Sequence, residues 1–305
     1  MTAPGAPAAR SIPGVSALAY GAAVVAILGG AIGAQIARDR LYQQRERETE
    51  RILYVRSGEA AKRMTLDFDA LAADVYWIRA IQHYGGDRLI PARTHKYELL
   101  YPLLDLTTTL DPYFTIAYRF GAIFLSEPAP GGPGRPDQAI QLLQKGLISQ
   151  PHKWQYFHDI AFVHYWHRRD FKTAAEWFRR AADQPDAPNW LPPLAAGMLT
   201  AGNDRASARL LWGQILNSDQ EWLRKTAARS LQQLDTLDVI DQLQAVVRRF
   251  PPAAGVPYSW DDYVRRGILR IVPYDAAKTP LEIDPASGTI AVSSSSPLYP
   301  MPSLP

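Results

Sequence analysis

The apolar positions of this chain begin with one long uninterrupted run near the amino terminus. Residues 11–37 contain no charged side chain, and their centre consists almost entirely of Ala, Val, Ile, Leu and Gly. At about 1.5 Å of rise per residue, a helix of this length crosses the hydrocarbon core of a bilayer. The pattern therefore predicts a disordered amino terminus over residues 1–14 and a transmembrane helix over residues 15–37.

A cleavable signal peptide is the alternative interpretation of this segment. Signal peptides combine a positively charged start with an apolar stretch of about 7–15 residues. Here the apolar stretch is longer, and Arg10 is the single charged side chain before it. Both features favour a membrane anchor that is retained.

Gly29 and Gly33 are the candidate packing residues of this helix. A spacing of four between small residues lets two membrane helices approach closely, so the pair predicts self-association. In a segment this rich in Gly and Ala the same spacing also arises by chance, and self-association stands as one hypothesis.

The charges beside the span leave the side of the membrane open. Arginines follow the span at positions 38, 40, 45, 47 and 51, whereas Arg10 alone precedes it. The positive-inside rule places the downstream residues in the cytoplasm, although long domains cross membranes despite such charges. Acidic residues alternate with these arginines, which predicts a stalk and linker over residues 38–65.

Beyond the linker, apolar residues recur at intervals of three and four, the spacing of amphipathic helices. Alternation of the kind found in strands is absent up to about residue 250. One apolar stripe ends at Tyr84 and a second begins at Tyr97, with a predicted turn over Gly85–Pro91 between them. The pattern predicts an amino-terminal helical hairpin over residues 66–111.

Residues 112–216 contain a repeating arrangement of small and large side chains, clearest over residues 154–188. There, Ile160-Ala161 on one helix is followed by Ala174, Trp177-Phe178 and Ala181-Ala182 on the next. These positions resemble the tetratricopeptide repeat (TPR), in which a large and a small residue face an Ala and an aromatic. One such hairpin cannot bury its apolar face alone, so neighbours stack. The resemblance implies an all-α, TPR-like α-solenoid with capping helices over residues 217–250.

The carboxy-terminal residues 251–305 have a different character. They predict a short helix that is closed by a glycine, followed by a β-hairpin. The segment resembles the carboxy-terminal part of pseudopilins and of some TPR proteins of bacterial envelopes. The residues that carry this resemblance are Gly267-Ile-Leu269, Pro273-Tyr-Asp275 and Asp284-Pro-Ala-Ser-Gly288. It implies a small α+β tail and a place in a pilus-like or secretion assembly.

Two features of residues 251–305 bear on metal binding and on order at the carboxy terminus. Pseudopilins can bind calcium near the corresponding loop, but Asp275-Ala-Ala-Lys278 departs from their motif, and no metal site is predicted. From Ser293 onward the chain is rich in Ser and Pro, which predicts a disordered end.

Composition argues against several kinds of chemistry. The chain has no cysteine, which removes disulfides, zinc–thiolate sites and cysteine nucleophiles. Its net charge is +3, and its basic residues are interleaved with acidic ones, so no nucleic-acid partner is predicted. Neither a phosphate-binding glycine loop nor a Gly-x-Ser-x-Gly elbow occurs. The sequence predicts no catalytic residue and no cofactor.

The histidines between residues 154 and 188 raise the alternative that this protein is a metal-dependent enzyme. His164 and His167 share one face of a predicted helix, whereas His158 faces elsewhere. A metal site needs at least three converging ligands. A metal-dependent enzyme that uses these histidines and nearby aspartates is therefore the less favoured hypothesis.

Aromatic side chains concentrate on the first helices of the predicted hairpins. In TPR proteins the inner face of these helices forms a concave groove that holds a peptide or a partner helix, and aromatic and Arg residues are good anchors there. The candidate groove residues are Tyr118, His158, His164, Arg168 and Asn189.

The expected function is that of a membrane-anchored scaffold for protein–protein interactions in a bacterial envelope complex. The protein is expected at the inner membrane, and the family resemblance favours the periplasmic side for the soluble part. A homo-oligomeric structural membrane protein is the main alternative.

Overall fold

The computed structural model describes residues 17–52, 58–89 and 97–302, and it divides the chain into two compact units, residues 1–56 and 57–305. The described residues form twelve α-helices and two short strands. The prediction of a mostly helical protein is confirmed at this level. The predicted disordered amino terminus, residues 1–14, lies outside the described residues.

The first unit contains one helix, α1 (Ala17–Ile52). Within it, Gly21–Arg40 is long and apolar enough to cross a membrane, and none of the side chains of this span is buried. The prediction of one helix able to span a bilayer is confirmed. The helix continues for about 18 Å beyond Arg40, at 1.5 Å per residue, into the region predicted to be a stalk.

The second unit is built from helices that pack in chain order. They are α2 (Gly58–Met64), α3 (Asp69–Leu89), α4 (Leu100–Leu110), α5 (Thr115–Ser126), α6 (Pro136–Ser149), α7 (Trp154–Trp166), α8 (Phe171–Ala182), α9 (Leu191–Ala201), α10 (Arg205–Ile215), α11 (Glu221–Arg249) and α12 (Trp260–Arg265). From α3 to α11, each helix packs against the next. In addition, α5 packs against α7 and α4 packs against α6. Helices that follow one another in the chain therefore form packed pairs, and these two pairs of alternate helices are also in contact.

Two of the hairpins turn in the same way. Arg169 and Asn203 have positive φ angles of 53° and 58°, and each precedes an aspartate. Asp170 then accepts a hydrogen bond from the backbone N–H of Thr173, and Asp204 caps α10 in the same way, both at 3.1 Å. These carboxylates satisfy N–H groups that a helix leaves unpaired at its start, which fixes where α8 and α10 begin.

The first hairpin differs from the prediction in two ways. The predicted turn over Gly85–Pro91 is wrong at its start, because α3 continues through both glycines to Leu89; residues 90–96 are not described. The predicted apolar stripe is also not the buried side of α3. From Leu71 to Ile78 its side chains are exposed, whereas Ala73, Ala80 and Tyr84 face the core, so the stripe is buried only at its end. Periodicity identifies an amphipathic helix, but over most of its length α3 turns its alanines towards the core, and small residues let α4 approach closely.

The predicted short helix and β-hairpin of the carboxy-terminal segment are confirmed. Strands β1 (Leu281–Ile283) and β2 (Ile290–Val292) are antiparallel, with Ile283 opposite Ile290. Their apolar side chains pack with α12 against the second half of α11. Gln244 of α11 extends this pairing, because its amide donates to Gly288 O at 3.0 Å and accepts from Ile290 N at 3.1 Å.

The predicted disorder after Ser293 is wrong for residues 293–302. Leu298 is fully buried, and Gln233 of α11 donates to its carbonyl oxygen at 2.8 Å. Ser296 donates to the buried Asp275 at 2.5 Å. Gln233 of α11 and Asp275 therefore hold a segment of turns that has no helix or strand of its own.

Candidate functional site

Helices α3, α5 and α7 lie side by side in one layer. The indole of Trp77 in α3 lies 6.1 Å from the ring of Phe114 and 6.0 Å from that of Phe124, at the two ends of α5. On the other side of α5, Arg119 Nε lies 2.6 Å from Asp159 Oδ2 of α7. These contacts join the three helices in the order α3, α5, α7.

One side of this layer carries large apolar side chains that no described residue covers. They form what we call the apolar face: Leu71, Val75 and Ile78 of α3, Ile116, Phe120 and Ile123 of α5, and Phe162 and Trp166 of α7. Each is between 42% and 63% exposed. On α3 and on α5 the three residues are spaced by four and then three, so they lie along one side of the helix.

The opposite side of each helix is fixed by close packing. In α5, Ala117 and Gly121 are buried, and a Cβ atom at Gly121 would lie 2.9 Å from side-chain carbons of Leu104 and Leu142. Only a small residue fits there, so this side of α5 must face α4 and α6. The apolar face is therefore directed away from the core.

Two charged side chains in the middle of the layer, Arg119 of α5 and Asp159 of α7, are paired with each other. Arg119 forms a bidentate contact with Asp159, at 2.6 Å and 3.1 Å. The hydrogen bond to Asp159 is the main cause that raises the pKa of Arg119. His158 Nδ1 lies 2.9 Å from the same carboxylate. The middle of the layer therefore carries an ion pair that is already satisfied.

An aromatic cluster borders the apolar face where α7 meets the start of α9. The rings of Trp154 and His158 lie 5.8 Å and 5.6 Å from that of Trp190, both nearly perpendicular to it. Asn189 precedes Trp190 and is exposed. It also lines a cavity of about 420 Å³ whose other walls include Arg179 and residues of α10.

The predicted groove residues do not form one surface. Tyr118 is fully buried and donates its hydroxyl to Thr108 O, and His164 is buried with its Nδ1 3.6 Å from Asp170 Oδ2. Neither side chain can meet a partner at the surface, because each points into the contact between helices. The prediction that both line an exposed groove is therefore corrected.

The other three predicted residues are at least partly accessible. Arg168 lies in the turn after α7, where it pairs with Asp137 of α6. His158 and Asn189 are brought together through Trp190 at the edge of the apolar face. Gly29 and Gly33, the predicted packing residues of α1, have open space beside them within their own unit.

We did not predict from the sequence that the residues of the apolar face form an exposed apolar surface. A signal for them was present in α5, whose small side chains Ala117, Gly121 and Ala122 occupy one side while Ile116 and Phe120 occupy the other. A helix that is apolar on both sides has a second surface to cover.

Among the described residues, no group of three or more His, Cys, Asp or Glu side chains is placed to hold a metal ion. Comparison of the chain with protein-family models, with curated proteins and with solved structures finds no match.

Proposed function

We propose that this protein is a membrane-anchored, non-catalytic scaffold that binds a protein partner through the apolar face. The observation that carries this proposal is that eight large apolar side chains on three adjacent helices remain about half exposed. Contiguous exposed apolar patches larger than a few hundred Å² are rare on monomeric soluble proteins and mark interaction sites.

The hairpins are proposed to be TPR-like repeats. A period of 34 residues, which is that of the TPR family, supports this assignment. Positions 161 and 195, and positions 174 and 208, are alanines 34 apart that are fully buried. Positions 178 and 212 are buried aromatics, and positions 170 and 204 are the capping aspartates described above.

The proposed setting is the bacterial inner membrane, with α1 as the anchor and the second unit in the periplasm. The apolar span Gly21–Arg40 supports the anchor, and the resemblance of residues 251–305 to pseudopilins favours an envelope assembly of the pilus or secretion type. Fusions at the carboxy terminus test the side of the membrane. A reporter active only outside the cytoplasm should work, and one fluorescent only inside should not; the reverse result contradicts this setting.

In-cell crosslinking tests the docking role. Full-length protein should form a crosslinked adduct that Phe120→Asp removes, because a carboxylate in the centre of an apolar interface is left unpaired. Ile148→Asp is the matched control, since Ile148 is 83% exposed on the outer side of α6. An adduct that survives Phe120→Asp, or no adduct with the unmodified protein, contradicts the proposal.

A further inference from the structure

We propose that the partner of the apolar face is a second copy of this chain, bound face to face about a two-fold axis that runs along α5. This inference rests on the proposed function, because it assigns the occupant of the same surface.

The area of the face matches what one partner contributes to a stable dimer. Aromatic side chains have about 150–250 Å² of surface each, and five of the eight residues are smaller aliphatic ones, so eight that are about half exposed offer roughly 600–800 Å² together. A standard protein–protein interface buries about 800 Å² on each partner. The face alone is therefore large enough for a specific dimer.

The ion pair in the middle of the face is compatible with a copy of itself. The ion pair between Arg119 and Asp159 is made within one chain, so packing two such faces together brings no unpaired charge from this pair into the interface. An interface that buries an uncompensated charge is strongly destabilised. A face whose central charges are already neutralised does not require a partner of opposite charge.

The order of the helices makes the face complementary to itself. Because α5 lies in the middle, a two-fold axis along it places α3 of one copy over α7 of the other. The aliphatic side chains of α3 then meet a helix that carries Phe162 and Trp166, and each contact occurs twice, as in any isologous dimer. Side chains of α5 meet their own counterparts at the axis.

Anchoring in a membrane favours the pairing of two copies. If α1 holds each copy in one membrane, the copies share a thin layer instead of the whole solution, which raises their effective concentration. A surface of standard size is then sufficient for pairing at ordinary expression levels.

Single cysteines provide the test, because the chain has none of its own. Ile116→Cys and Ile123→Cys, both on α5 and both at sites 53% exposed, are introduced separately into the full-length chain. Native membranes are oxidised with copper–phenanthroline, and the disulfide-linked dimer is measured on non-reducing gels. The controls are Ile148→Cys on α6 and Leu71→Cys on α3, away from the axis.

Both α5 variants should give roughly tenfold more dimer than either control, because each α5 cysteine lies beside its copy at the axis. Equal dimer from α5 and from Ile148→Cys overturns the inference, and so does more dimer from Leu71→Cys than from α5. A thiol-linked photocrosslinker at the Ile123→Cys site separates the two proposals. If the crosslinker captures only a different protein, the partner is not a second copy, but the docking role of the apolar face stands. If it captures no protein, both proposals are overturned.

Discussion

Replacing Gly146 by alanine tests whether the hairpins depend on close contact through small residues. Gly146 lies in α6, and a Cβ atom there would be 2.8 Å from Tyr156 Cε2 and 3.1 Å from Tyr118 Cδ1. Both tyrosine rings are fully buried, so neither can move aside easily. Overpacking of this kind costs about 1–3 kcal/mol, and the better helix propensity of alanine offsets about 0.5–1 kcal/mol of it. We expect Gly146→Ala to lower the free energy of unfolding by ~1 kcal/mol.

Gly213→Ala is the matched control. Gly213 is also inside a helix, α10, but a Cβ atom there would have no neighbour within 4 Å. The helix-propensity gain is then unopposed, so this variant should raise the stability by about 0.5–1 kcal/mol. The same substitution is thus expected to act in opposite directions at the two sites.

Thermal unfolding of the full-length protein in detergent, followed by circular dichroism at the helix band, measures both variants. A change of 1 kcal/mol shifts Tm by about 2–4 °C in a domain of this size. Gly146→Ala should melt below the unmodified protein and Gly213→Ala above it. If Gly146→Ala melts above the unmodified protein, as Gly213→Ala does, the contact between α6 and the two tyrosines is not as close as argued.

Two further predictions concern the carboxy-terminal segment and the buried histidine. Gln244→Leu removes the hydrogen bonds to the backbone of Gly288 and Ile290, at a cost of about 1–3 kcal/mol for the groups left unpaired. Amide exchange at Ile290 should therefore accelerate, and unchanged exchange contradicts this role. Burial lowers the pKa of His164 below its ordinary 6.5, although Asp170 opposes the shift. As the pH is lowered, the unfolded chain therefore takes up a proton before the folded one does. The free energy of unfolding should fall as the pH drops through the unfolded pKa of about 6.5. In the His164→Phe variant the free energy of unfolding should fall less over the same pH change. His167, whose pKa is also lowered by burial, is present in both chains and therefore does not cause the difference. An equal fall in both chains refutes the assignment to His164.

The helices were predictable because their signals are local. The charge-free run before Arg38 identifies the span, and apolar residues at intervals of three and four identify the helices that follow. Gly288, with a φ of 71°, marks the turn of the hairpin. Each of these features depends on a few neighbouring residues and on general backbone geometry.

The features that sequence reasoning missed depend on distant residues. Leu298 is buried because Gln233, 65 positions earlier in the chain, binds its carbonyl oxygen. Tyr118 lies in the core because Gly146, which has no side chain, leaves room for its ring, and because the ring packs against that of Tyr156. Likewise, the part of the stripe from Leu71 to Ile78 is exposed because α3 has a second apolar side. Apolar periodicity does not tell which of two apolar sides a helix buries.

Thiol labelling in native membranes tests most directly whether the apolar face is covered by protein. In this structure the sites of Ile123→Cys and Ile148→Cys are 53% and 83% exposed, so a single chain should react at similar rates at both. If a partner covers the face, a water-soluble maleimide should label Ile123→Cys roughly tenfold more slowly than Ile148→Cys, because a tenfold ratio needs only about 1.4 kcal/mol of protection. Comparable labelling rates at the two sites would contradict the account.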